Sequence, residues 1–140
     1  MKRVPAKVAS SAPEGTQWFG GAVDRSTLSL RVACADIDRN QISALLGHQA
    51  DREAKHWVLH APESSDGDLD AQVEWILSRL NQDLAVWREI TQRFKTDLFC
   101  GLFLERPNRG VSLRPDTLGQ IAARGILLGF DIYAPDHTQA

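Results

Sequence analysis

The spacing of apolar and polar residues along the chain predicts four strands. Residues 28–34 alternate between apolar and polar side chains, which is the pattern of a strand with one face on a core and one face open. Residues 98–105 are largely apolar on both faces, as in a strand at the middle of a sheet. Two further apolar runs, residues 56–60 and 126–133, predict a second strand and a last strand.

Apolar residues at helical spacing predict three helices. A short helix is expected over residues 38–47, with an aspartate at the N-cap and a glycine at the end. Apolar positions repeat across residues 69–94 and predict one long helix that packs on the sheet. The third helix is expected over residues 115–125, because proline is favoured at the first helical position and glycine just after the last.

The segment between the third strand and the last helix predicts a hairpin. Pro107, Asn108 and Gly110 are typical of a tight turn, and residues 111–113 are expected to return as a short strand. The predicted element order is therefore β-α-β-α-β-β-α-β. This order predicts an α+β fold, with a single layer of mainly antiparallel sheet and helices on one face, as a variant of the ferredoxin-like arrangement.

The chain of 140 residues is long enough for one compact domain with its own core. Residues 1–25 are rich in Ala, Ser, Pro and Gly and are predicted to form a flexible or docked leader, in which Trp18 and Phe19 supply the apolar side chains for docking. Residues 26–134 are predicted to form a single α+β domain, and residues 135–140 a disordered tail.

Composition and charge exclude several classes of partner. The formal net charge is −2, and no block of like charge is present, so neither a nucleic acid nor an anionic membrane is favoured as a partner. The first residues contain no apolar signal-peptide core, which predicts a cytoplasmic protein. Cys34 and Cys100 lie in apolar strand patterns and are expected to be reduced thiols, and no cofactor or metal is predicted.

Three segments carry a resemblance to a known family. They are the capped helix from Asp36 to Gly47, the run Cys100-Gly-Leu-Phe-Leu-Glu-Arg106, and the closing Gly129-Phe-Asp-Ile-Tyr133. Together they resemble a bacterial family catalogued as a domain of unknown function, number 4279, over residues 28–133. The resemblance implies the α+β fold. It implies no activity, because the family has no settled one.

The sheet face opposite the helices is the candidate ligand or partner face. Alternate residues of a strand point to opposite faces, so if one set, which includes Leu128, Phe130 and Ile132 of the last strand, packs in the core under the helices, the other set shares this face. The members of the second set are Arg31, Phe99, Gly101, Phe103, Glu105, Leu127, Gly129, Asp131 and Tyr133. The simplest alternative is an ordinary pair between Arg31 and a carboxylate, beside a patch that the leader covers.

This face admits more than one function. An enzyme would use Glu105 and Asp131 as an acid and a base, and a single-strand RNA binder would stack bases on the aromatic rings. The first hypothesis lacks a known separation between the carboxylates, and the second lacks a basic surround. We therefore expect a non-enzymatic protein-interaction module, of the inhibitor or immunity type, with a small-molecule binder or weak hydrolase as the alternative.

Trp75 and Val86 form a second candidate surface. On one continuous helix, Trp75 falls about 130° away from the core stripe at 100° per residue, with Val86 between them. A tryptophan away from the core stripe is either covered by another segment, such as the leader, or lies in an interface with a partner or a second copy.

The remaining polar candidates have ordinary structural explanations. His56 and His60 share a strand face but lie about 13 Å apart at 3.3 Å per residue, which is too far to bind one metal. Cys100 lies mid-strand on the predicted core side with no assigned base, so a structural thiol is favoured over a nucleophile. The arginines near the predicted turn, Arg106 and Arg114 among them, are a weak candidate for an anion site.

Overall fold

A single four-stranded sheet organises the protein in the computed structural model, which describes residues 22–51 and 55–134. The strands are β1 (Arg25–Val32), β2 (Trp57–His60), β3 (Thr96–Phe103) and β4 (Leu127–Tyr133), in the spatial order β2-β1-β3-β4. β1 pairs antiparallel with β2 and β3, whereas β3 and β4 are parallel. The first strand in sequence therefore lies inside the sheet, and β4 lies at its edge.

Helices pack on one face of this sheet. They are α1 (Arg39–Leu46), α2 (Leu69–Ser78), α3 (Leu84–Arg93) and α4 (Pro115–Ala123), and a short 3-10 turn, Asp36–Asp38, precedes α1. All four contribute buried residues to one core with β1, β2 and β3, including Ile42, Ile76, Ile90 and Ile121. The predicted α+β class, with mainly antiparallel sheet and helices on one face, is confirmed.

Two buried tryptophans fix the helices around the sheet. Trp57 on β2 and Trp87 on α3 are both fully buried. Trp57 Nε1 donates a hydrogen bond to Ser43 Oγ (2.9 Å), and Trp87 Nε1 donates one to the Asn81 carbonyl (2.7 Å). Each indole therefore buries its ring without leaving its N–H unpaired.

The prediction of one long helix over residues 69–94 is wrong, because the chain breaks between α2 and α3. Asp83 caps α3 by accepting a hydrogen bond from the Ala85 N–H (2.9 Å). Asn81 accepts one from the Asp83 N–H (2.8 Å) and donates one to the Leu45 carbonyl (3.0 Å). These polar side chains satisfy the backbone of the turn, so the segment with continuous apolar spacing folds as two helices, and the periodicity does not reveal the break.

The predicted hairpin after β3 is also wrong. Residues 111–113 form no strand, and the backbone at Gly110 instead accepts a hydrogen bond from the Val23 N–H (3.0 Å). The chain then enters α4 and returns as β4, parallel to β3. A strand, a helix and a parallel strand thus replace the hairpin, and the observed order is β-α-β-α-α-β-α-β.

The predicted leader and tail fall largely outside the described residues, which begin at 22 and end at 134. The described end of the leader contacts the body, since Val23 is buried in the core. Gly67 packs against it: the glycine has φ +70°, and an added Cβ would run into Val23 Cγ2. A glycine at this position is required by both the backbone conformation and the space.

β4 is more exposed than its apolar sequence predicts. Phe130 and Ile132 were expected in the core, but they are 46% and 61% exposed. Leu128, on the same face, is half-buried against the core. β4 has a neighbouring strand on one side only, which leaves its side chains without the flanking strand that a central position would supply.

Candidate functional site

The face of the sheet opposite the helices, called the open face below, is the first candidate site. Residues paired across neighbouring strands point to the same side, so the register defines its members. On β1, β3 and β4 they are Arg25, Thr27, Ser29 and Arg31, then Asp97, Phe99, Gly101 and Phe103, and finally Leu127, Gly129, Asp131 and Tyr133; Val58 and His60 of β2 share the same side. All of the predicted face residues except Glu105 therefore lie on one surface.

Arg31 is held by Asp97 rather than by Glu105 or Asp131. Its Nε donates to Asp97 Oδ1 (2.9 Å) and its Nη2 to Asp97 Oδ2 (2.6 Å), a bidentate pair. The hydrogen bond to this carboxylate, together with its charge, raises the pKa of Arg31 against the opposing effect of burial. The guanidinium also lies 4.2 Å from the centre of the Phe99 ring. Arg31 is therefore fixed in place by structural contacts.

A second stack lies at the other end of the face. The Arg25 guanidinium lies 3.7 Å from the centre of the Phe103 ring, and Phe103 stacks on Tyr133 with 4.5 Å between ring centres and 4° between ring planes. A hydrogen bond to Asp131 and the charge of that carboxylate raise the pKa of Tyr133. The two arginine–aromatic stacks present flat, partly covered surfaces.

The two glycines of the face differ in the space above them. A Cβ at Gly101 would lie 2.6 Å from Thr27 Oγ1 and 3.3 Å from Phe103 Cε2, so neighbouring side chains already fill that space. A Cβ at Gly129 would meet nothing within 4 Å. The open floor of the face is therefore at Gly129, between Phe99 on the adjacent strand and the ring of Tyr133 further along β4.

The predicted carboxylate pair does not form on this face. Asp131 lies opposite Gly101 in the sheet, whereas Glu105 lies beyond the end of β3. The Glu105 N–H donates a hydrogen bond to Asp24 Oδ2 (2.6 Å), and Glu105 itself is exposed. Glu105 therefore lies four residues beyond Gly101, the β3 residue that Asp131 faces, and the sheet register does not bring the two carboxylates together as a concerted acid and base.

The second predicted surface is divided between two helices. Trp75 lies on α2 and Val86 on α3, and both are half-buried against the core. The Arg79 guanidinium lies 3.7 Å from the centre of the Trp75 ring. Trp75 also lines an open depression of about 370 Å³ with residues 62–66, Asp68, Ala71 and Gln72. A larger depression, of about 690 Å³, lies at the end of α1 around Gly47, away from the open face.

The thiols and histidines occupy structural positions. Cys100 is fully buried, and burial raises the pKa of its thiol to about 11, as suits a core residue rather than a nucleophile. His60 Nδ1 lies 2.6 Å from Ser29 Oγ, and His56 Nδ1 lies 3.0 Å from the Cys34 carbonyl. Among the residues that the structure describes, no cluster of three or more His, Cys, Asp or Glu side chains could hold a metal ion.

The edge strand β4 is the second candidate site, and sequence reasoning missed it. Large exposed apolar side chains concentrate on it: Leu127 is 58% exposed, Phe130 46%, Ile132 61% and Tyr133 45%. They lie on both faces of the strand, the first and last on the open face and the other two on the helix face. Periodicity assigned Phe130 and Ile132 to the core, so only the strand order reveals their exposure.

The backbone of β4 also presents unused groups in one direction. The Tyr133 carbonyl accepts a hydrogen bond from the Leu104 N–H (3.0 Å), so the backbone of Tyr133 points toward β3. Because N–H and C=O of a strand residue point to the same side and successive residues alternate, the groups of Leu128, Phe130 and Ile132 point away from the sheet. No described strand pairs with this edge.

Four of the open-face residues on β1 and β3 were not among the predicted face residues: Arg25, Thr27, Ser29 and Asp97. Arg25, Thr27 and Asp97 continue the alternation but precede the predicted strands, which began too late to include them. Ser29 lies within the predicted strand over residues 28–34, so alternation alone could have found it.

These surfaces define a class of protein: a small single-sheet α+β domain with one exposed sheet face and one exposed apolar edge. Among the described residues, no helix has the length and apolar character needed to cross a membrane. The family model described as Domain of unknown function (DUF4279) matches residues 41–135, and the chain belongs to this family. The match begins within α1 and leaves β1 outside it. No curated protein and no solved structure matches the chain.

Proposed function

We propose that this domain is a protein-interaction module that binds its partner as an added strand along β4. The observation that carries the proposal is the exposure of large apolar side chains on both faces of an edge strand whose outer backbone groups point away from the sheet. An added strand satisfies those backbone groups, and its side chains cover the apolar ones.

The composition of β4 supports this role. Edge strands that must stay unpaired usually carry lysine, proline or a bulge. β4 contains none of these residues, its pairing with β3 is continuous in register, and its one charged residue is Asp131. The strand therefore lacks the usual protection against pairing, as expected where pairing is the function.

Several finer predictions accompany the proposal. An inhibitor or immunity role, a bacterial source, a place in the cytoplasm and a ferredoxin-like topology remain predictions from the sequence. Trp75 and Val86 remain a predicted second interface. They lie on α2 and α3, so a partner strand at β4 leaves them available for a separate contact.

The proposal is tested with the 140-residue chain immobilised on a resin and exposed to a lysate of its source organism. Phe130→Lys places a charge on the edge, and Leu118→Lys on α4 is the matched control, because both side chains are 46% exposed in the native protein. We expect proteins retained by the wild type to be lost with Phe130→Lys and kept with Leu118→Lys. Retention of the same proteins by all three chains would show that β4 is not the binding surface.

A second candidate function is binding of a small molecule on the open face. The unfilled space above Gly129, next to Phe99 and Asp131, favours it. Asp131→Asn and Gly129→Val should then abolish a ligand-induced rise in melting temperature, whereas an interaction module tolerates Asp131→Asn and Glu105→Gln. A rise in melting temperature in both face variants equal to that of the wild type would exclude this site.

A further inference from the structure

The edge of β4 is complementary to itself. We infer that β4 pairs with β4 of a second copy, antiparallel about a twofold axis at Phe130, so that one sheet continues across a homodimer. This inference rests on the proposed strand-binding role of β4 and names the partner. The argument comes from the backbone register, the side-chain pairs and the position of the one charge.

The backbone fixes which registers are possible. In an antiparallel pair, residues that exchange hydrogen bonds must both point their N–H and C=O groups at the partner. On β4 these are Leu128, Phe130 and Ile132. A twofold axis at Phe130 pairs this residue with itself and pairs Leu128 with Ile132 of the second copy. All of the outward groups are then used, as in any closed isologous interface.

The side chains match in the same register. On the helix face, Phe130 meets Phe130 and Leu128 meets Ile132 of the second copy. On the open face, Leu127 meets Tyr133, and Gly129 meets Asp131. Apart from the Gly129–Asp131 pair, apolar residues therefore meet apolar residues along the strand, and cross-strand pairs of this kind stabilise a sheet.

The charge and the strand ends disfavour the two neighbouring registers. An axis at Asp131 would place the two carboxylates directly opposite each other, and like charges in that position are destabilising. An axis at Gly129 would put Leu127 opposite Asp131 and would leave Ile132 beyond the end of the partner strand. In the register centred on Phe130, each carboxylate faces the glycine of the second copy, and the exposed apolar residues are all paired.

The oligomeric state is measured by analytical ultracentrifugation of the 140-residue chain over a range of concentrations. We expect a dimer for the wild type and for the control Leu118→Lys. Phe130→Lys places two ammonium groups opposite each other on the axis and should raise the dimer Kd by at least about tenfold. A dimer that survives Phe130→Lys unchanged would overturn the inference.

The register is tested by cross-linking single introduced cysteines in a Cys34→Ser background, in which the remaining Cys100 is fully buried. Hydrogen-bonded antiparallel pairs have Cα atoms about 5.5 Å apart, within the roughly 4.4–6.8 Å that a disulfide spans. Phe130→Cys should therefore cross-link to itself under mild oxidation. Leu127→Cys is the control, because the two copies of this residue lie about 20 Å apart in the inferred register. Cross-linking of Leu127→Cys but not Phe130→Cys would overturn it.

The outcomes separate this inference from the proposed function. A monomer at every concentration overturns the homodimer, but the strand-binding role stands if a different protein is retained in a Phe130-dependent way. A monomer with no Phe130-dependent partner overturns both. Hydrogen exchange adds a further outcome: protected amides at Leu128, Phe130 and Ile132 in a monomer would mean that another segment of the same chain covers the edge, which also overturns the homodimer.

Discussion

A buried amide couples α2 to β1, and removing it should cost stability in a predictable way. Ser26 is fully buried and Gln72 is 4% exposed. Ser26 Oγ donates to Gln72 Oε1 (2.6 Å), while Gln72 Nε2 donates to the carbonyls of Ser26 and Pro62 (both 3.0 Å). Gln72→Leu keeps most of the side-chain volume and removes all of these bonds.

The expected cost follows from what is left without a partner. The Ser26 carbonyl still accepts a hydrogen bond from the Ser64 N–H (3.0 Å), and Pro62 lies in an exposed position where water replaces the lost donor. The Ser26 hydroxyl alone is left buried and unpaired. We therefore expect Gln72→Leu to lower the free energy of unfolding by about 1–3 kcal/mol.

The double variant separates the hydrogen bond from packing. Ser26→Ala removes the orphaned hydroxyl, so Gln72→Leu combined with Ser26→Ala should cost about 1–2 kcal/mol less than the sum of the two single changes. Urea unfolding measures this through the fluorescence of the buried Trp57 and Trp87, with the m-value required to stay constant. Strictly additive losses would refute the account of this contact.

Three further predictions concern stability and reactivity. Gly67→Ala should lower the free energy of unfolding more than Gly47→Ala does. Both glycines have a positive φ, which costs an alanine about 1–2 kcal/mol, but only the added Cβ at Gly67 collides with a core valine. Equal losses in urea unfolding would refute the collision. Arg31→Ala should lower the free energy of unfolding by about 1–2 kcal/mol, because it leaves the buried Asp97 carboxylate unpaired. A loss below about 0.5 kcal/mol would contradict this. Burial raises the pKa of Cys100 to about 11, so this thiol should resist thiol reagents at pH 8 until the protein unfolds, and rapid labelling of Cys100 in the native Cys34→Ser protein would contradict its burial. The stability linked to Cys100 is fully present below its ordinary pKa of 9.0 and is lost as the pH rises through about 11.

The open face was accessible to sequence reasoning because alternation is a local property. Once residues 28–34 and 98–105 are assigned as strands, the side of each residue follows, and the structure confirms that Arg31, Phe99 and Phe103 share one face. The partner of Arg31 was not accessible, because the predicted strand began one residue after Asp97.

Features that depend on tertiary contacts escaped prediction. The break between α2 and α3 depends on hydrogen bonds from Asn81 to the end of α1, a contact between segments distant in sequence. The exposure of Phe130 depends on the position of β4 at the edge of the sheet. Apolar spacing contains no information on strand order, so a strand that looks buried in sequence can lie at the edge.

The placement of β1 has a consequence for how pieces of this family are produced. β1 is the strand that joins β2 to β3, yet the family match begins only at residue 41. A fragment cut at that boundary would lose the middle of its sheet and expose one side of β3 along its whole length. Such a fragment should aggregate, whereas a chain that begins before Val23 retains the strand and the core residue that precedes it.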